Sequence, residues 1–338
     1  MNSKKTNNLT LFALFILATG VITIFIPNSF LSIRNLHNMG RQLPEFGLLS
    51  LANMLAMITG GIDLSVVAIA NISGVVAGAI LSHYATIGLP VGLTIALAIV
   101  AALAVAFLCG ALNGILIAYA GVPAIIATLG TNSLFLGVSI IITKGAGIIG
   151  FPDPFLFIGN GVIFGVPTQF VIFLAAVVVV AVLLNTTSQG LMMYMYGANP
   201  LVSRFSGVNN QRVLLKTYIF GALLCAVSAI IMISGVDSIR PGYGEQYLLL
   251  TVLIVVMGGV DPNGGFGTVL GVVLSIFIVQ ILQSGLNIIG FSAFFMKSSW
   301  GLLLLLLSVF YFTRSGLMRH RIAGRSAKKK AQGGQAAS

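Results

Sequence analysis

Charge is what this sequence has least of. Six acidic residues are spread over 338 positions, and charged residues of all kinds make up 7%. A soluble domain carries roughly 25%, so the chain cannot build a water-facing surface of its own. Cysteine is nearly absent as well. Cys109 and Cys225 both lie inside apolar runs and read as small packing residues, too few for a disulfide framework or a cysteine metal site. No metal and no cofactor are expected. The sequence contains no G-x-x-x-x-G-K-[ST], no H-E-x-x-H and no G-x-S-x-G. It therefore has no P-loop with which to bind nucleotide and is not expected to be an enzyme. His37, His83 and His320 are scattered near loops or in the C-terminal tail and read as interfacial or solvated. Ionisable residues are nearly missing from the apolar segments away from their ends. Proton- and ion-coupled carriers usually place such residues along the pathway, so this absence weighs against a self-powered carrier, although carbonyls and hydroxyls alone can hold sodium.

What is present is apolar. Hydrophobic residues make up 58% of the chain, and the mean hydropathy is +1.08. A polytopic membrane protein, an all-α bundle of transmembrane helices, is the class that fits. Forty glycines predict helices packed with close backbone approach. Apolar stretches of near-spanning length fall at 10–27, 44–60, 64–83, 87–109, 123–143, 167–187, 213–235, 246–260, 267–290 and 296–312. The predicted count is about ten, with 44–60 short unless extended backwards and Asn113-Gly114 near the end of a long fourth segment. The first stretch is too long for an ordinary signal peptide and has no A-x-A site after it, so it reads as a span.

An even count puts both termini on one side. With that side cytoplasmic, inside loops and edges hold Lys4, Lys5, Arg204, Arg212, Lys216 and a basic tail, and outside loops hold Arg34, Arg41, Lys144, Arg240 and Lys297. The bias predicts N-in and C-in. Seven basic residues between Arg314 and Lys330 contribute much of the net charge of +11. They lack interleaved aromatics and read as a positive-inside tail on anionic lipid, with no nucleic-acid partner. One transmembrane domain is expected over 1–325, followed by a disordered basic cytoplasmic tail at 326–338. Two outside loops look structured, Gly145–Pro167 and Val236–Gln246. The largest inside loop runs from Asn185 to Arg212.

Four stretches carry a family resemblance: "TGGIDLSVVA" (Thr59–Ala68), "GVPAIIATLGT" (Gly121–Thr131), "YGANPLVSRFSGVNNQRVLLKTYIFGALLCAVSAII" (Tyr196–Ile231) and "MGGVDPNGGFGTVLGVVL" (Met257–Leu274). In this order and spacing they resemble the permease subunits of bacterial ribose/galactose/xylose-type ABC importers. Val67 stands where that family usually has Gly, and Ile125 where it usually has Phe. The resemblance implies import of a monosaccharide across the bacterial inner membrane. It also implies pairing with a second permease copy or homologue, a separate cytoplasmic ABC ATPase, and a periplasmic or lipid-anchored sugar-binding protein. A nucleoside or furanosyl signal molecule is the alternative substrate within the superfamily. An ATP-independent carrier or channel, or a membrane scaffold, are the alternatives outside it.

Tyr196-Gly197-Ala198-Asn199-Pro200 is a turn signal. Leu201–Phe205 can form a short helix that Ser206-Gly207 ends. The resemblance implies an ATPase-coupling helix here, so Asn199, Pro200, Arg204, Phe205, Ser206 and Gly207 are its candidates, against a plain connecting loop on the headgroups. Gly60 and Gly61 allow a helix break. Asp63 is then expected to cap a helix starting at Leu64, accepting from the N–H groups of Ser65 and Val66; whether it also lines a pathway stays open. A sugar path asks for amides and hydroxyls. Asn53, Asp63, Asn71, Ser73, Thr128, Thr131 and Asn132 are candidates, and interhelical hydrogen bonding is the competing use of the same side chains.

Overall fold

The computed structural model describes residues 2–292, 294–306 and 309. The predicted basic tail lies outside the described residues. Two compact units are distinguished, Met1–Ser292 and Ala293–Ser338. The first runs α1 (Asn2–Phe25), α2 (Pro27–Phe30), α3 (Ile33–Ile58), α4 (Val66–Ser82), α5 (Tyr84–Ile87), α6 (Val91–Ala118), α7 (Ala124–Thr143), β1 (Ile148–Ile149), α8 (Asp153–Asn160), β2 (Val162–Ile163), β3 (Val166–Pro167), α9 (Thr168–Thr186), α10 (Ser188–Ala198), α11 (Pro200–Phe205), α12 (Asn210–Val236), β4 (Ser238–Ile239), α13 (Tyr247–Met257) and α14 (Val269–Ile289). The second carries an apolar helix at Phe294–Leu306.

Six helices among the described residues are long and apolar enough to cross a membrane: the Asn8–Phe25 part of α1, α6, α7, α9, α12 and α14. The chain is a multi-pass helical membrane protein. Three shorter apolar helices, α4, α13 and Phe294–Leu306, answer to three more of the apolar stretches. The remaining stretch, 44–60, is the second half of α3. That helix extends backwards to Ile33 through Arg34, His37, Arg41, Gln42 and Glu45, and this polar first half dilutes its hydropathy. From Leu43 to Ile58 every residue but Glu45 is buried. A helix enclosed on all sides belongs to the interior of a bundle.

Small residues set the packing. α12 lies against α6, α3, α4 and α8. On α6, Ala98, Ala102, Ala106, Gly110 and Gly114 recur every fourth residue and are all buried, while Leu93, Leu97, Val100 and Leu108 on the other faces are exposed. The fourth-residue spacing keeps the small side chains on one face, so the backbones of α6 and α12 approach closely. Asn113-Gly114 therefore sits in the packed stripe of α6, before its end at Ala118. A Cβ on Gly110 would stand 2.7 Å from the Tyr218 carbonyl oxygen and 2.9 Å from the Ile219 Cα.

The two loops expected to be structured are joined. β1 pairs antiparallel with β4, Ile148 opposite Ile239 and Ile149 opposite Ser238. β2 and β3 form a hairpin after α8. The Phe151 N–H donates to Asp237 Oδ1 at 2.8 Å, and Phe151, Phe155 and Ile239 pack with Val75 and Ala98 in one apolar cluster.

The α6 stripe generates a paired prediction. Gly110→Ala, which drives a methyl into the α12 backbone, lowers stability by about 1–3 kcal/mol. Gly137→Ala in α7, where a Cβ meets nothing within 4 Å, is neutral or slightly stabilising. Thermal unfolding in detergent reads both, and equal midpoints for the two variants would contradict the packing described.

Candidate functional site

Between α3 and α4 the chain leaves the helix inside the first unit. Gly60 has φ +77°, and Thr59, Gly60 and Gly61 turn back their N–H groups onto the carbonyls of Ala56 and Met57. The segment that follows is held by side chains. The Asp63 N–H donates to Asn53 Oδ1 at 3.3 Å, and Asn53 Nδ2 donates to Thr251 Oγ1 at 3.4 Å. The Leu64 N–H donates to Thr128 Oγ1 at 3.1 Å. Thr128 Oγ1 in turn lies 2.8 Å from the Ala124 carbonyl and 3.2 Å from the Ile62 carbonyl, one of which takes its proton.

Asp63 Oδ1 accepts from the Ser65 N–H at 2.8 Å and from the Ser65 hydroxyl at 2.6 Å. Asn113 Nδ2 donates to Ser65 Oγ at 2.7 Å, and Thr131 Oγ1 donates to Asn113 Oδ1 at 2.7 Å. Helix α4 begins at Val66, two residues later than expected. Ser65 is the N-cap residue and no side chain caps the helix; Asp63 instead closes the turn before it, both bonds of its Oδ1 going to Ser65 and none to the Val66 N–H. All members of this network are buried, Asp63 with 3% of its surface exposed.

The structure thus brings together Asn53, Asp63, Thr128 and Thr131, and adds Ser65, Asn113 and Thr251, which the sequence reading did not single out. The remaining candidates fall elsewhere. Asn71 Nδ2 donates to the Arg240 carbonyl at 2.9 Å, tying α4 to the loop after β4. Ser73 is buried with its hydroxyl unpartnered. Asn132 is half-buried on α7.

The Asn185–Arg212 segment folds as α10 and α11. Asn199 Oδ1 accepts from the N–H groups of Leu201 and Val202 at 3.0 and 3.1 Å, so Asn199 is the N-cap and Pro200 the first helical residue. The helix stops after Phe205, with Gly207 at φ +81°. Ser203 is buried and donates to Asn210 Oδ1 at 3.0 Å, which fixes α11 on the start of α12. The other face is bare: Leu201, Val202 and Phe205 are 62%, 57% and 84% exposed.

The two regions meet at glycine. The Gly265 N–H donates to the Ile58 carbonyl at 2.8 Å. A Cβ on Gly197, in the last turn of α10, would overlap the Ile58 carbonyl oxygen and the Gly265 nitrogen. A Cβ on Gly264 would stand 2.7 Å from the Gly60 nitrogen and 2.9 Å from the Gly197 Cα. The end of α3, the end of α10 and the loop after α13 therefore touch through backbone alone.

A carboxylate also escaped the sequence reading. Glu45 stands at the edge of an apolar stretch in the sequence but midway along α3 in the fold. Its Oε2 accepts from the Tyr247 hydroxyl at 2.8 Å, and no ion pair involving it forms among the described residues.

Residues 35–312 match the family described as branched-chain amino acid transport system / permease component. The chain belongs to that family. It is 34% identical over 296 residues to the ribose import permease protein RbsC of Bacillus subtilis (strain 168), covering 87% of this chain and 88% of the relative. It is 32% identical over 250 residues to the autoinducer 2 import system permease protein LsrD of Yersinia pestis (strain Pestoides F), covering 72% and 73%. No solved structure matches the chain. The resemblance carried by the four motifs is thus upheld, and all four supply residues just described: Thr59–Ala68 forms the break, Gly121–Thr131 contributes Thr128 and Thr131, Tyr196–Ile231 holds α11, and Met257–Leu274 contributes Gly264 and Gly265.

The network predicts an asymmetry at Asp63. Asp63→Asn keeps an acceptor oxygen for Ser65 and preserves stability. Asp63→Ala strands the Ser65 N–H and hydroxyl in the interior and lowers stability by about 1–3 kcal/mol. Thermal unfolding of the purified variants decides it; an Ala variant as stable as the parent means the carboxylate does not hold the break.

Proposed function

We propose that this permease is the membrane subunit of an ATP-driven, binding-protein-dependent importer of a monosaccharide of the ribose, galactose or xylose kind, working in the bacterial inner membrane. The observation that carries the mechanism is α11. It presents Leu201, Val202, Phe205 and Arg204 away from the rest of the first unit, and its neighbour α10 touches the broken end of α3 through Gly197. An apolar anchor with a basic residue beside it suits a groove on a cytoplasmic ABC ATPase, the apolar residues filling the pocket and the charge fixing orientation. Movement of α11 on nucleotide binding then reaches Ile58 and Gly60 through backbone contact, with no flexible side chain to absorb it.

In this reading the polypeptide crosses the membrane about ten times, N-in and C-in, the four additional crossings being α3, α4, α13 and Phe294–Leu306. Residues 1–325 act as one permease domain, and 326–338 as a cytoplasmic tail. The permease pairs with a second copy or a homologue. The β1–β4 ladder, α8 and the β2–β3 hairpin face outwards, where a periplasmic or lipid-anchored sugar-binding protein docks. The names of the relatives support a sugar. The relative named for autoinducer 2 supports a furanosyl signal molecule as the second reading, which ligand-binding assays on the cognate binding protein separate from the first.

Two experiments test this assignment. In the purified complex with its ATPase, Arg204→Glu lowers ATPase association about tenfold, as a loss of ~1.4 kcal/mol does, and reduces sugar-stimulated ATP hydrolysis. The variant remains in the membrane. Normal coupling would remove α11 from the ATPase interface. Hydrogen exchange provides the second test: Pro152–Pro154 and Asp237–Glu245 become protected when the binding protein docks. Unchanged exchange there would mean that this face is not the outer one.

A further inference from the structure

Four polar side chains are spaced along the face that α3 turns towards α13 and α14, with Phe46 and Leu49 among them. Asn35 Oδ1 accepts from the Ser284 hydroxyl at 3.0 Å. Two turns on, Gln42 Oε1 accepts from Gln280 Nε2 at 3.4 Å. One turn further, Glu45 Oε2 accepts from Tyr247 at 2.8 Å. Two turns beyond that, Asn53 Nδ2 reaches Thr251 at 3.4 Å and its Oδ1 takes the Asp63 N–H. The intervals of seven, three and eight residues keep these four side chains on one helix face. The stripe ends at the helix break, and the break is in backbone contact with α10.

Packing alone does not account for this face. Two of its rungs, at 3.4 Å, are longer than a good hydrogen bond. Gln280 has no exposed surface, yet its Oε1 has no partner, and Gln283 Oε1 one turn along α14 is also buried and unpartnered. Buried acceptors are paired in the great majority of proteins, so these two call for a donor that arrives from elsewhere. Glu45 is only half-buried, and its Oε1 accepts no hydrogen bond among the described residues. A carboxylate in this position, with no cation beside it, is tolerated where it borders a polar space and is by default functional. The Tyr247 ring that holds it lies 5.9 Å from the Phe46 ring.

We propose that this face of α3 lines the route of the transported molecule, and that Glu45, held by Tyr247, is its central hydroxyl acceptor, with Gln280 accepting from the α14 side. The chemistry names the ligand class. Carboxylate and amide oxygens without partners accept from hydroxyl donors, and none of the rungs is a Lys or Arg that would select an anion. A neutral polyhydroxylated ligand fits. The inference rests on the sugar-import reading above. It assigns Glu45 and Gln280, which that reading does not need, and gives Asn53 a transport role in addition to its structural one.

The test uses the full permease reconstituted in proteoliposomes with its ATPase and binding protein. A panel of radiolabelled D-ribose, D-xylose and D-galactose is offered to the parent, and the sugar imported fastest is the probe. Glu45→Gln keeps the bond from Tyr247 and is expected to retain the parent's thermal midpoint and binding-protein docking while import falls more than tenfold. Its import ratio between D-ribose and D-xylose, which differ at one hydroxyl, also shifts. Gln280→Leu removes a buried unpartnered acceptor together with the long 3.4 Å bond to Gln42, so it is expected to keep the parent's thermal midpoint to within a few degrees and yet import several-fold more slowly. Import by both variants at the parent rate and ratio would overturn the proposal. So would loss of import that tracks a lowered midpoint in both, which marks a purely structural ladder. A parent that imports none of the three sugars overturns the sugar reading itself and this inference with it, whereas a competent parent with indifferent variants overturns this inference alone.

Discussion

Backbone polar groups freed inside a membrane protein must find partners within the protein, because the hydrocarbon offers none. The break between α3 and α4 is the point where this constraint bears hardest. From Ile58 to Ser65 the chain gives up helical bonding, and its groups are taken up from many directions. The Ile58 carbonyl accepts from Gly265, the Asp63 N–H goes to Asn53, the Leu64 N–H to Thr128, and the Ser65 N–H to Asp63. Each partner sits on a different element, so the break draws α3, α7, α13 and the loop after α13 to one place. Asn113 and Thr131 extend the same set to α6 and α7. The irregular segment is thus the fixed point around which the first unit is organised, and none of its buried side chains is free to move alone.

The same economy explains the glycines. Where helix meets helix, the stripe on α6 lets backbone approach backbone, and van der Waals contact substitutes for the hydrophobic drive that lipid removes. Where loops meet, Gly60, Gly197, Gly264 and Gly265 leave no side chain between segments. A junction built this way transmits displacement directly. That property is what the coupling role proposed for α11 requires of the contact between α10 and the end of α3.

Local signals in the sequence were legible. The short helix after Asn199-Pro200 and its stop at Ser206-Gly207 depend on neighbours within a few residues, and α11 appears there, starting one residue earlier at Pro200, while Tyr196–Ala198, expected in the turn, complete α10. The loops at Gly145–Pro167 and Val236–Gln246 were legible as structured because Pro and Asp cluster there, but their mutual pairing through β1 and β4 was not, since those strands are about ninety residues apart. Asp63 reads as the cap of a helix from Leu64, but the N-cap is Ser65 and the helix starts at Val66. The difference comes from Thr128 and Asn53, long-range partners that hold Leu64 and Asp63 outside the helix. Glu45 was missed for a related reason. A search for apolar runs stops at the first polar residues, and in α3 those polar residues belong to the helix and face α13 and α14.

The two carboxylates differ in how firmly they are held. Asp63 belongs to a chain of short bonds: its Oδ1 accepts twice from Ser65, Ser65 is held by Asn113, and Asn113 by Thr131. Glu45 is held by a single phenol. A carboxylate fixed within such a chain contributes to architecture, because moving it breaks several buried bonds at once. One held by a single bond exchanges partners at lower cost. The asymmetry separates structure from transport along one helix, with Asn53 as the shared residue, its amide nitrogen on the ladder and its carbonyl oxygen on the break. A molecule that passed Glu45 and drew Asn53 away from Thr251 would loosen the Asp63 N–H in the same motion. Occupancy of the route and the state of the break would then be linked through one side chain.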